Sequence, residues 1–187
     1  MRLFVAVALP EPISAALRGL IQALRGELPG LRWVRPEGIH LTLKFLGEVA
    51  ETSVPGLEAE LSAGLRGALA PFAASVAGLG LFPEGPGRRA RVVWIGVTAP
   101  GGSLAALREL VERACVRAGY PPERRPFSPH LTLARVGDEG PPPGLAQAVW
   151  SGRQLDLGEL AVDRVTLFQS MLSPQGASYR NLREFPL

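Results

Sequence analysis

The sequence predicts an α+β fold of two similar lobes, each an antiparallel sheet with helices, related by a pseudo-two-fold axis around a central cleft. Three observations lead there. The 187 residues are 47% hydrophobic and 20% charged, enough apolar material for one domain or two small lobes sharing a core, and too much for wholesale disorder. Compared with itself at an offset of 90 residues, the interval from His40 to His130, the chain matches without gaps at 14 of the 41 positions from 7 to 47. A composition this rich in Ala, Leu, Gly, Arg and Pro gives roughly 4 matches by chance, so we read a single bilobal domain, 1–187, with an internal repeat over about 2–48 and 91–138. Finally, strand-like and helix-like patterns follow one another in the same order in both copies.

The elements follow in chain order. The apolar run 3–9 reads as a buried strand, because it is short for a signal peptide, has one Arg before it and runs into Pro10-Glu11-Pro12. A helix is expected over about 12–28, with Pro12 suited to its first turn. A loop carrying Arg32, Trp33 and Arg35 leads to a strand through His40. A second helix starts near Pro55 and places Leu57, Leu61, Leu65 and Leu69 at spacings of four. Positions 72–80 read as a strand and 83–89 as a Gly- and Pro-rich loop. The second copy repeats the pattern: a strand over 91–97, a helix over about 104–118 with Ser103 as its N-cap and Gly119 past its end, and a strand through His130. A loop over 138–144 and a strand over 160–169 follow.

Composition excludes some classes and leaves others open. Cys115, the one cysteine, sits in the helical context Leu110-Val111-Glu112-Arg113-Ala114-Cys115 as a packing residue. With no partner for an internal disulfide, a reducing, cytoplasmic setting is expected. No stretch approaches the length needed to cross a membrane. The net charge of +3 permits a polyanionic partner without identifying one.

The repeat centres on His40-Leu41-Thr42-Leu43 and His130-Leu131-Thr132-Leu133, which hold the chain's two histidines. Alternate residues of a strand share a face, so His40 and Thr42 point one way while Ile39, Leu41, Leu43 and Phe45 point the other. His130 and Thr132 do the same. A lone histidine beside a strand is usually a hydrogen-bonded structural residue, but a matched pair inside a repeat points to chemistry. Metal binding would need a third protein ligand, and no Cys cluster or His-x-x-x-His spacing supplies it, so neither metal nor cofactor is expected. Two imidazoles instead suit cleavage of a phosphoester, one taking a proton from the attacking oxygen and the other giving one to the leaving oxygen. The Thr42 and Thr132 hydroxyls then donate to the phosphoryl oxygens.

Three further residues are candidate substrate contacts. Strict alternation places Lys44, the only lysine, on the face of His40 and Thr42; a solvated side chain beyond the cleft is the alternative. Arg135 has the wrong parity for that face unless the strand bulges. Trp33 offers a ring for stacking on a nucleotide, or a core residue. Because the two motifs are identical, residue chemistry alone does not say which imidazole is the acid.

With these residues in view, the chain resembles the two-histidine phosphoesterases, and within them the RNA 2′,3′-cyclic phosphodiesterase family, also called 2′-5′ RNA ligases. The resemblance is carried by Arg2-Leu3-Phe4-Val5-Ala6-Val7, by Trp33-Val34-Arg35-Pro36-Glu37 ahead of His40-Leu41-Thr42-Leu43-Lys44-Phe45-Leu46-Gly47, by Phe127-Ser128-Pro129-His130-Leu131-Thr132-Leu133-Ala134-Arg135, and by the ending from Tyr179 to Leu187. It implies a bilobal fold around a cleft and hydrolysis of a terminal 2′,3′-cyclic phosphate to a 2′-phosphate. It also implies roles: His40 as proton donor to the departing 3′ oxygen and His130 as proton acceptor from water. Ligation would be the same chemistry with a 5′ hydroxyl in place of water, independent of ATP, and the chain has no Gly-x-x-x-x-Gly-Lys loop. The expected partner is RNA with a 2′,3′-cyclic phosphate end, tRNA fragments included, acted on by a monomer. The rival readings are an RNA-end binding protein and a phosphodiesterase for a small cyclic nucleotide from tRNA splicing.

Overall fold

The computed structural model describes residues 1–85, 88–173 and 176–187. β1 (Arg2–Ala8) leads into α1 (Glu11–Glu27), where Ile13, Leu17, Ile21 and Leu24 form a buried stripe at helical spacing. The chain continues through β2 (Leu31–Trp33), β3 (His40–Glu48), α2 (Val54–Leu65) and β4 (Phe72–Phe82). Next come β5 (Val92–Thr98), α3 (Ser103–Arg117), β6 (His130–Val136) and α4 (Leu145–Ser151), and the chain closes with β7 (Asp156–Val162), β8 (Arg164–Ser173) and β9 (Gly176–Pro186).

The strands form two antiparallel sheets, one ordered β3-β1-β8-β9 and the other β2-β6-β5-β4-β7. The series β1, α1, β3, α2, β4 therefore has its counterpart in β5, α3, β6, α4, β8. The last strands of the two series are exchanged, since β4 pairs with β5 and β8 with β1. Helices cross over as well. α1 lies against β2 and β7 of the second sheet, whereas α3 lies against β3 of the first and packs on α2. β1 is buried from Leu3 through Val7, which marks a strand covered on both faces, and the buried side chains of both sheets form one continuous core.

Several boundaries differ from the sequence expectation for physical reasons. The strand expected over 160–169 is broken at Asp163: β7 lies in the second sheet and β8 in the first, so one apolar run serves two sheets. The N-cap of α3 is Gly102, with φ +73°, while Ser103 is its first residue and donates back to the Pro100 carbonyl at 3.1 Å. β2 and α4 are too short, and β9 too polar, to show a period; α4 buries only Leu145 and Val149, and β9 buries only Phe185. Of the loop expected over 83–89, positions 86 and 87 lie outside the described residues. Among the described residues, no helix is long and apolar enough to cross a membrane.

Candidate active site

Both motifs begin a strand, and both strands carry the same irregularity. Along β3, Thr42 lies opposite Ala6 and Lys44 opposite Val5, leaving Leu43 as an extra residue. Along β6, Thr132 lies opposite Trp94 and Ala134 opposite Val93, leaving Leu133 as the extra residue. A bulge of this kind points two successive side chains to one side and reverses the alternation beyond it. Burial follows: Leu43 and Lys44 are both buried, as are Leu133 and Ala134, while Phe45 and Arg135 come out on the face of the histidines.

Two sequence expectations are corrected by this bulge. Lys44 does not share the face of His40 and Thr42; it lies on the opposite face, only 5% exposed, bonded to Glu112 and to the Pro121 carbonyl. Phe45 does not point into the core; it is 66% exposed in the cleft. Arg135, whose parity was unfavourable without a bulge, lines the cleft. Trp33 is not on the cleft wall. It lies on β2 opposite Ala134 and packs against the core, which is the second of the two readings offered for it.

The cleft between the sheets, of about 550 Å³, brings together His40, Thr42, His130, Thr132 and Arg135. The imidazoles are held alike. His40 Nδ1 lies 2.9 Å from the Gly38 carbonyl and His130 Nδ1 2.7 Å from the Ser128 carbonyl, each two residues upstream. A carbonyl only accepts, so each Nδ1 carries the proton and donates, and Nε2 is left as the atom that gains or loses one.

Their surroundings are not alike. The two strand pairs differ in register by two residues, with Ala8 opposite His40 and Gly96, not Thr98, opposite His130. Phe4 stacks on His40 with ring centroids 4.5 Å apart, and Tyr179 meets it edge-on at 5.1 Å. Burial under these rings pushes the His40 imidazole down from 6.5 to about 4, and the hydrogen bond to Gly38 opposes this only in part. His130 has Phe82 edge-on at 4.9 Å and a tilted Trp94 at 6.3 Å, neither of them stacked.

Sequence reasoning missed Phe4, Phe45, Arg2, Arg125 and Tyr179 as cleft residues. Arg125 carried a usable signal, since Arg125-Pro126 repeats Arg35-Pro36. Tyr179 stood in a segment that carries the family resemblance, but neither repeat nor periodicity placed it in the cleft, because β9 reaches the first sheet only through the tertiary fold. Among the described residues, no group of three or more His, Cys, Asp or Glu side chains is placed to hold a metal ion.

The chain resembles known proteins over nearly its full length. The model of the 2′-5′ RNA ligase superfamily matches residues 9–171. The RNA 2′,3′-cyclic phosphodiesterase of Archaeoglobus fulgidus is 37% identical over 185 residues, covering 99% of each chain. Among solved structures, a Thermus thermophilus protein superposes with a TM-score of 0.76 at 35% identity, covering 100% of this chain and 98% of the other. E. coli LigT complexed with 3′-AMP superposes with a TM-score of 0.73 at 28% identity, covering 100% and 97%. The duplicated motif, the paired sheets and these full-length matches agree, and the chain belongs to the 2′-5′ RNA ligase superfamily.

Proposed function

We propose that the protein hydrolyses the terminal 2′,3′-cyclic phosphate of RNA to a 2′-phosphate, with His40 and His130 as its acid and base. The observation that carries this is the pair of imidazoles in one cleft, each anchored through Nδ1 and each two residues before a threonine that lines the same cleft. Water attacks phosphorus while the P–O3′ bond breaks. His130 Nε2 takes the water proton, and His40 Nε2 gives a proton to the departing 3′ oxygen. Thr42 and Thr132 donate to the non-bridging oxygens, and Arg135 supplies positive charge as negative charge builds on them.

Burial keeps His40 mostly neutral in the free enzyme. Its role as donor therefore depends on the substrate: an anionic phosphate held against the ring favours the imidazolium and restores the proton that the reaction uses. A 5′ hydroxyl in the place of water gives the 2′-5′ ligation product by the same steps. RNA ends, tRNA fragments among them, fit an open cleft rimmed by Arg2 and Arg125.

Purified protein in EDTA opens an oligonucleotide 2′,3′-cyclic phosphate to the 2′-phosphate, read by chromatography of the products. His40→Ala and His130→Ala each lower kcat by about a thousandfold or more, and Thr42→Val or Thr132→Val by about 10- to 100-fold. Full activity in both histidine variants refutes the reading.

A further inference from the structure

Each half of the chain reaches its motif through a segment that passes from one lobe to the other. In the first half, Leu31, Arg32 and Trp33 of that segment form β2 along β6, and the Val34 amide donates to the Leu133 carbonyl at 2.9 Å. The matching residues of the second half are Pro121, Pro122 and Glu123. Proline has no amide hydrogen to give to a ladder, and no strand forms over these residues.

Side chains take over there. Lys44, turned to the back of β3 by the bulge, donates to the Pro121 carbonyl at 2.6 Å and to Glu112 Oε1 at 2.8 Å. The same Oε1 accepts from the Glu123 amide at 2.8 Å. Arg108 Nη1 stands 2.7 Å from Oε2 as an ion pair, without the alignment of a hydrogen bond. Burial alone would push the Glu112 carboxyl up, but the bonds from Lys44 and the Glu123 amide and the charges of Arg108 and Lys44 outweigh it and hold the group below the usual carboxylate value. The repeat matches Lys44 with Ala134 and Glu112 with Gln22, so the equivalent place in the other lobe has no charged pair. The charged pair lies in the lobe whose sheet has no strand equivalent to β2 beside its motif strand. Downstream of Glu123, the same segment carries Arg125 into the cleft and supplies the Ser128 carbonyl that orients His130.

We propose that Lys44 and Glu112 are positioning residues for the second half of the site: their buried ion pair replaces the absent strand pairing and fixes segment 121–129, with Arg125 and His130, against the first motif. The proposal rests on reading the cleft as a cyclic phosphodiesterase site. Lys44 acts from behind the strand and touches no substrate.

Removing Glu112 alone would leave the Lys44 ammonium buried without a carboxylate, whereas replacing both with apolar residues of similar length is often tolerated. The test uses the full chain with Lys44→Met and Glu112→Met together, read by segment-resolved amide hydrogen exchange and by turnover of an RNA oligonucleotide 2′,3′-cyclic phosphate. The expected result is cooperative unfolding retained, exchange at least tenfold faster over 121–129 with β2, β6 and α3 unchanged, and kcat/KM at least tenfold lower. Lys44→Arg, which keeps the charge, shows a smaller effect on both. Wild-type exchange over 121–129 overturns the proposal. So does faster exchange with unchanged kcat/KM, or protection lost equally across β6 and α3. Should the double variant not fold, Glu123→Pro removes one bond to the segment while leaving the ion pair intact, and carries the same two readouts. If the wild-type protein opens no cyclic phosphate, the functional reading fails, and the exchange measurement still decides whether the ion pair holds the segment.

Discussion

Two identical tetrapeptides place their imidazoles in different surroundings, and the consequence for His40 is open to measurement. With His40 near 4 in the free enzyme, the acidic limb of the kcat/KM profile falls near pH 4. A free imidazole would put it near 6.5. The limb is the same whichever histidine is the acid, because both assignments predict the same bell, so a limb at 6.5 would mean that the rings over His40 open in solution. The same depression bears on stability. Between pH 6.5 and 4 the unfolded chain binds a proton at His40 that the folded chain refuses, so stability is full above 6.5 and falls as pH drops toward 4, by about 3 kcal/mol at most. Urea denaturation at pH 7 and pH 4.5 measures this, and His40→Gln removes most of that dependence. Cys115, by contrast, is completely buried, and burial pushes its thiol up to about 12, in keeping with a packing role.

At the scale of elements, what the sequence made legible followed regular periodicity, and what it hid followed departures from it. His40, Thr42, His130 and Thr132 lie ahead of the bulges, where alternation of faces holds, and all four line one cleft. Lys44, Phe45 and Arg135 lie beyond them, where each bulge reverses the faces, and a bulge depends on how a partner strand is laid rather than on local residue type. α2 was legible from its leucine spacing, and α1 and α3 from the repeated strand–helix pattern with Pro12 near one start and Gly119 past the other end; β9 was not legible, being largely polar and exposed. β4 offers a direct test of how tightly these strands support the site. A Cβ on Gly80 would fall 2.2 Å from the Trp94 ring, which lies directly across the ladder and near His130. Gly80→Ala therefore costs about 1–3 kcal/mol by overpacking and also lowers kcat through the displaced indole, read by urea denaturation and steady-state rates together.

For the molecule as a whole, the decisive feature is the exchange of β4 and β8 and of α1 and α3 between the lobes. Neither half of the sequence contains a complete sheet with its covering helices, so chains spanning 1–90 and 91–187 will each fail to unfold cooperatively when expressed alone. The intact protein melts in one transition by calorimetry; two resolved transitions would show that the lobes are separable. We infer that the two halves descend from one duplicated unit whose copies fold only in each other's company. The same lacing gives the molecule an unusual relation to damage. A single backbone nick in the surface turn at 138–144 would leave two pieces interwoven through both sheets, unable to drift apart without undoing the core. An assay that counts intact polypeptides would score such a protein as destroyed, while one that counts turnovers would still find it at work.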